Sequence, residues 1–216
     1  HEIRNPLASL KSASEIISET SDKAQREKLV SILLHDVERI ERLITDYSQM
    51  LKDEVAITNE QMKKIDLKLI ATSVVDDFNS IHNSINGIKI QLNSNGSTNY
   101  NILGIENRIE QIIANLLDNS ISFSRENQTI KVELSEDKKE KNIILSVVDE
   151  GEGFKETDTN KIFKRFYSNR PNKFGEHSGL GLNIVKNLVE LHNGKISASN
   201  NVGQKGAIIE IIFPKV

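Results

Sequence analysis

Apolar positions at the start of the chain recur every three to four residues. Ile3, Leu7, Leu10 and Ile17 share one stripe, with Ser14 standing where another apolar residue is due. A second stripe follows through Leu29, Leu33, Val37, Ile40, Ile44, Tyr47 and Leu51. Alternating steps of three and four predict amphipathic helices with an a/d seam. Glu19-Thr20-Ser21-Asp22-Lys23 is a polar break between them, and Ser21 or Asp22 suits the N-cap of the second helix. The pair therefore reads as an antiparallel helical hairpin. One hairpin offers its seam too few partners, so the pattern favours a homodimeric four-helix bundle over a monomer capped by the rest of the chain.

From about residue 60 the pattern changes to alternating strands and helices. Ile65-Asp66-Leu67, Ile88–Leu92 and Asn101–Leu103 read as short strands, and Leu69–Ile81 as a helix. Glu106–Phe123 carries a helical stripe of Ile109, Ile112, Ile113, Leu116, Leu117 and Ile121. Ile130–Leu134 and Ile143–Asp149 alternate with period two around a charged loop, residues 136–142. Leu180–His192 is a further helix, and Ile196–Ser199 and Ala207–Phe213 are closing strands. This order predicts an α/β sandwich, one mixed sheet with helices on one face. The expected domains are 1–55 and 56–216, joined by a linker at 53–62.

Composition narrows the chemistry. The 216 residues include 28 Lys and Arg against 31 Asp and Glu, a formal charge of −3. That balance lacks the basic face on which nucleic-acid binding depends. Residues 1–55 hold 8 basic and 11 acidic side chains, and the remainder is balanced. Balance does not forbid a nucleotide site, which uses local amides and single cations. There is no Cys, which removes disulfides, a thiolate nucleophile and Cys-ligated metals. No run of 18 apolar residues is present, and no signal peptide. The chain opens on His1 rather than Met, which leads to the expectation of a longer parent.

Four clusters carry candidate chemistry. In His1-Glu2-Ile3-Arg4-Asn5-Pro6-Leu7, a carboxylate beside the imidazole can hold Nδ1–H and free Nε2 as a nucleophile. Asn5 lies one helical turn from His1, and Pro6 is expected to kink the helix. The bland reading is a surface His. A zinc site would need a second His where Asn5 stands. In Asn115-Leu116-Leu117-Asp118-Asn119, two amides share a helix face while the leucines turn inward. Amide oxygens suit Mg²⁺, although a solvated polar face is the plainer alternative. Asp149-Glu150-Gly151-Glu152-Gly153-Phe154 follows a strand, so Asp149 can accept from an exocyclic amine while Gly151 and Gly153 permit a tight turn. Ser178-Gly179-Leu180-Gly181-Leu182 opens a helix whose amides can receive phosphate. Between the last two, residues 157–176 are long enough for a lid, with Arg165 and Arg170 available to phosphate. No GxxxxGK[ST] loop and no protein-kinase catalytic loop is present.

In this order the clusters resemble the catalytic core of a two-component sensor histidine kinase. His1–Leu7 resembles the H box, Asn115–Asn119 the N box, Asp149–Phe154 the G1 box, Phe163–Tyr167 the F box and Ser178–Leu182 the G2 box. The resemblance covers essentially the whole chain. It implies a dimerisation and phosphoacceptor hairpin followed by a Bergerat-type ATP-binding α/β sandwich. It further implies autophosphorylation of His1 from ATP, with Glu2 as its base and Asn5 serving a reverse phosphatase activity. Asn115, Asn119, Asp149, Gly151, Gly153, Phe163, Arg165, Gly179, Leu180 and Gly181 would bind the nucleotide, with Asn119 on Mg²⁺. The implied partners are a second copy and the receiver domain of a response regulator. The implied location is the cytoplasmic portion of a bacterial inner-membrane protein.

Three positions depart from the family pattern. Ser122 stands where many members have Lys, leaving a phosphate contact missing or assigned to Arg125; His177 replaces a Gly, and Ile105 an Asp. Ser122 and His177 keep open a scaffold or phosphatase-only reading with a degenerate ATP lobe. A chaperone or topoisomerase ATPase lobe is a third reading, which the His1 hairpin opposes. The Ser122-Phe123 pair and the Arg170-Pro171 lid are reminiscent of alphaproteobacterial envelope- or acid-responsive sensor kinases.

Overall fold

The computed structural model describes residues 3–56, 60–95, 99–155, 158–167 and 179–216. The chain divides into two compact units. One holds the N-terminal hairpin together with residues 165–167 and 179–180; the other holds Glu60–Lys164 and Gly181–Val216.

In the first unit, α1 (Arg4–Glu19) and α2 (Lys23–Ala56) are joined by a three-residue turn. Asp22 caps α2, its Oδ1 accepting from the Ala24 amide at 2.9 Å. The Arg26 Nε–H donates across the turn to the Thr20 carbonyl at 2.7 Å, which closes the end of α1. Pro6 does not kink α1. It sits in the first turn, where an amide has no intrahelical acceptor to lose. Pro6, Ala13, Asp36 and Leu43 are buried, whereas the predicted seam residues Ile3, Leu7, Val37, Ile44 and Tyr47 are exposed.

The second unit opens with β1 (Lys63–Asp66), α3 (Leu67–Asn86), β2 (Lys89–Ser94) and β3 (Asn101–Gly104). It continues through α4 (Glu106–Phe123), β4 (Thr129–Asp137) and β5 (Asn142–Val148), and closes with a 3₁₀ helix (Thr159–Phe163), α5 (Gly181–Leu191), β6 (Lys195–Asn200) and β7 (Ala207–Pro214). Leu67 starts a helix rather than ending a strand, because the Asp66 carboxylate accepts from the Lys68 amide at 2.9 Å and caps α3. The expected single sheet is two. β1 and β3 pair antiparallel on their own, and the main sheet runs β2-β4-β5-β7-β6 with only β2 and β4 parallel. Register stacks apolar rows on one face: Leu134, Leu145 and Ile211 form one row, and Val132, Val147 and Ile209 the next. All six are buried. The alternate positions on β5 and β7 are half-buried, as in a sheet with helices on one side. α4 lies in this core with Ile109, Ile112, Ile113, Leu116 and Leu117 sealed from solvent.

Candidate functional site

The inward turn of Leu116 and Leu117 on α4 leaves Asn115 and Asn119 on the half-exposed face, one turn apart. The Asn115 Nδ2 is buried and has no hydrogen-bond partner. A Cβ added at Gly181, the first residue of α5, would come no closer than 3.9 Å to Asn115 Oδ1. The start of α5 thus lies beside Asn115, with van der Waals room for a methyl group at Gly181.

Asp149 ends β5, is 5% exposed, and is held in place by backbone groups. Its Oδ1 accepts from the Gly151 amide at 2.9 Å and the Ala207 amide at 3.1 Å. Its own amide donates to the Ala207 carbonyl at 3.1 Å. Both side-chain bonds fall on one oxygen, so Oδ2 is left to accept from an incoming N–H. Burial raises the carboxyl above its ordinary value, and the Ala207 and Gly151 amides pull it back. The approach of β7 requires glycine: a Cβ on Gly206, at φ +125°, would collide with the Asp149 carbonyl oxygen at 1.8 Å. Gly151 packs against the end of α4, where a Cβ would lie 2.9 Å from the Phe123 carbonyl oxygen. The loop after β5 therefore packs against the C-terminal end of the helix that carries Asn115 and Asn119.

Further residues fasten the rim. Asn200 grips the loop after β5 at Phe154, accepting from its amide at 2.6 Å and donating to its carbonyl at 2.9 Å. Gly153 turns there with φ +76°. Thr159 Oγ1 donates to the Ala198 carbonyl at 2.8 Å, and Asn183 Nδ2 to the Phe163 carbonyl at 2.9 Å. His192, buried behind α5, accepts at Nε2 from the Ile105 amide at 3.0 Å while Nδ1–H donates to the Leu188 carbonyl at 2.7 Å. Burial lowers its pKa and keeps it neutral. This bond holds the start of α4, whose N-cap Ile105 offers no side-chain cap.

The remaining expectations divide. Phe163 is buried at the end of the 3₁₀ helix. Asn5 is exposed on α1, and it shares the hairpin's unit with exposed Arg165, half-buried Gly179 (φ +70°) and buried Leu180. His1, Glu2, Arg170, His177 and Ser178 lie outside the described residues. Arg125 pairs with Glu152 Oε1 at 3.3 Å, and the Ser122 hydroxyl donates to the Asn119 carbonyl at 2.6 Å. Asn183, His192, Asn200 and Gly206 escaped the sequence reading, although Asn183 and His192 lie in the helix expected over Leu180–His192.

Comparison with known proteins bears on the whole chain. Residues 104–216 match the family described as histidine kinase-, DNA gyrase B- and HSP90-like ATPase. Residues 1–56 match the His kinase A (phospho-acceptor) domain. The sensor protein ChvG of Agrobacterium fabrum is 34% identical over 215 residues, covering 96% of this chain and 36% of that protein. It is alphaproteobacterial, in keeping with the likeness carried by Ser122-Phe123. The chain thus spans about a third of the length of such relatives. Histidine kinase ThkA, solved in complex with response regulator protein TrrA, matches with a TM-score of 0.70 at 22% identity, over 100% of this chain and 59% of that one. Full-length ShkA in complex with AMPPNP matches at 0.68 and 22%, over 99% and 44%. At such identities the likeness to these structures is one of fold.

Proposed function

We propose that this chain, which belongs to the histidine kinase-, DNA gyrase B- and HSP90-like ATPase family and carries a histidine kinase phospho-acceptor domain, is the autophosphorylating core of a sensor histidine kinase. The observation that carries the reading is Asp149. A buried carboxylate with one oxygen saturated by backbone amides and the other open suits the exocyclic amine of adenine. Asn115 supports a nucleoside triphosphate as the ligand: its buried Nδ2 is a donor without an acceptor among the described residues, and it lies beside Gly181 at the start of α5. Asn119, with Asn115 beside it, would hold Mg²⁺, which when bound offsets phosphate charge.

In this reading His1 Nε2 attacks the γ-phosphorus of ATP. A nitrogen–phosphorus bond forms, the bond to the β-phosphate oxygen breaks, and ADP leaves. Glu2 holds the imidazole Nδ1–H and so orients the ring. Gly179, Leu180 and Gly181 give amides to the phosphates, and Arg165 lends charge. The phosphoryl group then passes to an aspartate of a response regulator docked on the hairpin, and Asn5 orients water for the reverse hydrolysis. Residues 1–55 form the dimerisation and phosphotransfer domain and 56–216 the ATP-binding domain. The exposed seam of Val37, Ile44 and Tyr47 is where a second copy completes a four-helix bundle. The relatives are called sensor proteins, so the parent is a membrane-anchored sensor with this core on the cytoplasmic side. Among the described residues no helix is long and apolar enough to cross a membrane.

The test is incubation of the chain with γ-labelled ATP and Mg²⁺, reading label that is acid-labile and base-stable. His1→Gln should abolish it and leave nucleotide binding intact; Asn119→Ala should abolish both. Label that persists in His1→Gln overturns the assignment. The engagement of Ser122 with Asn119 and of Arg125 with Glu152 favours a second reading, a scaffold or phosphatase with a degenerate ATP lobe. That reading predicts no nucleotide binding by the unaltered chain.

A further inference from the structure

Asn200, the last residue of β6, stands opposite Ala207, the first residue of β7, where the β6–β7 hairpin turns. These two positions take hold of the loop after β5 at its two ends. Ala207 holds the near end: its amide donates to Asp149 Oδ1 and its carbonyl accepts from the Asp149 amide, both at 3.1 Å. Asn200 holds the far end at Phe154, where Oδ1 accepts from the amide at 2.6 Å and Nδ2 donates to the carbonyl at 2.9 Å. Turning the amide over would set donor against donor and acceptor against acceptor, so both atoms are committed. Gly153 comes in so close that a Cβ there would lie 2.7 Å from Asn200 Oδ1 and 3.1 Å from the Gly206 carbonyl oxygen. The Asn201 amide donates to that same carbonyl at 3.0 Å.

On its other flank the loop is fastened at Glu150. The carbonyl there accepts from Gln128 Nε2 at 2.9 Å, and the carboxylate accepts from the Thr129 amide at 3.0 Å. That tie leaves the far end to Asn200. Gly151 and Gly153 give the loop little stiffness of its own. The amides that saturate Asp149 Oδ1 come from two separate pieces of chain, Gly151 from the loop and Ala207 from the hairpin. Their spacing decides how the carboxylate is turned, and with it where Oδ2 points. Asn200 joins the loop to the hairpin and so keeps that spacing.

We propose that Asn200 is a positioning residue for adenine recognition: by locking Phe154 to the β6–β7 hairpin it holds the Gly151 and Ala207 amides together on Asp149 Oδ1 and keeps Oδ2 aimed at the exocyclic amine. It acts through Asp149, so its signature is base selectivity. General loosening of the unit weakens every nucleotide alike. Loss of the aim of Asp149 weakens only a nucleotide that carries the amine. The inference rests on the ATP-binding reading above and deepens it.

ADP and purine riboside diphosphate differ only at the exocyclic amine, which the second replaces with hydrogen. Titration calorimetry of the full chain with each, in Mg²⁺, gives the ratio of their dissociation constants. The unaltered chain should favour ADP by about ten- to a hundredfold, the worth of one hydrogen bond to a charged group. In Asn200→Ala that ratio should fall at least about fivefold, while the affinity for purine riboside diphosphate stays within about twofold. Asn200→Asp keeps the acceptor for the Phe154 amide and loses the donor. Its ratio should lie between the two, and it carries the test alone if Asn200→Ala does not fold. An unchanged ratio, whether both nucleotides bind as before or weaken together, overturns the inference and leaves the ATP-binding reading standing. Equal affinity for the two nucleotides in the unaltered chain removes the contact between Asp149 and the amine, and the inference with it. Failure of the unaltered chain to bind either nucleotide overturns the ATP-binding reading itself.

Discussion

On α4, Ile109, Ile112, Ile113, Leu116 and Leu117 follow a helical stripe and each is 0% exposed, whereas on α2 Val37 and Ile44, at the same kind of spacing, stand 42% and 52% exposed. Both helices make the same demand on their surroundings. The α/β unit meets it with a sheet, whose apolar rows close over α4. Among the described residues the hairpin's unit adds only the stretches 165–167 and 179–180, and on the two helices Pro6, Ala13, Asp36 and Leu43 are the buried positions. An amphipathic pattern therefore states how much apolar surface must be covered without saying whether the cover comes from the same chain. Here the sequence separation of the partners decides it. The α/β unit brings its own strands, whereas the described part of the hairpin leaves its stripe uncovered, the surface proposed above for a second copy.

The sharpest way to break this contrast is to damage the self-sufficient unit. Gly206→Ala forces a Cβ onto the Asp149 carbonyl and should cost about 3 kcal/mol or more, because neither backbone can yield. Denaturant melts should show the α/β transition lost or shifted, with hairpin helicity retained if the units are independent. The converse is Ile44→Asp. It should weaken dimerisation by about a hundredfold in sedimentation equilibrium, since each buried Ile is worth roughly 1.5–3 kcal/mol, and should leave the α/β melting transition where it was. If that transition moves, the separation drawn here is wrong.

Asp149→Asn sharpens the contrast between stability and function within the α/β unit. The folded-state pKa of Asp149 is raised by burial, so the charged form costs stability at neutral pH, and that cost is relieved as pH falls through the raised value. The Asn variant should bind ATP analogues at least about a hundredfold more weakly, because an N–H donor then faces the adenine amine. Its Tm should nevertheless rise by about 2–4 °C in differential scanning calorimetry. His192 has the opposite sign. Its folded-state pKa is lowered from 6.5, so its contribution is complete above about pH 6.5 and is lost as pH falls below it. A Tm series from pH 7.5 to 5.5 should show a fall that His192→Gln flattens. The smallest effect belongs to Arg125→Ala. Its pair with Glu152 is mostly in solvent, so stability should change by less than about 0.5 kcal/mol in urea titration.

Long local periodicities were legible. The stripe over Glu106–Phe123 coincides with α4, and Asp22 caps α2 as its position suggested. The placement of Asp149 just after a strand and of Asn115 and Asn119 on one face of α4 was also visible, because neither needs a distant partner. What escaped depends on distant partners. His192 and Ile105 are separated by 87 residues and Asn200 and Phe154 by 46, and nothing near either His192 or Asn200 hints at its counterpart. The β1–β3 sheet escaped for another reason. Lys63–Asp66 has no alternation to mark it, its burial running from exposed to half-buried. Phe163 entered only through a resemblance, because nothing in its local pattern distinguishes a binding ring from the buried residue it is.

Asn79 has a consequence for life among other chains. Its side chain accepts from the Ile90 amide at 2.9 Å and donates to the Ile90 carbonyl at 2.8 Å, imitating one residue of a neighbouring strand. Ile90 lies on β2, an outermost strand of the main sheet. An exposed sheet edge is a template on which foreign strands add, and growth from it ends in aggregates. By occupying both backbone groups at mid-strand, Asn79 interrupts that template. The outermost strand thus keeps one pair of its backbone groups closed to unintended additions.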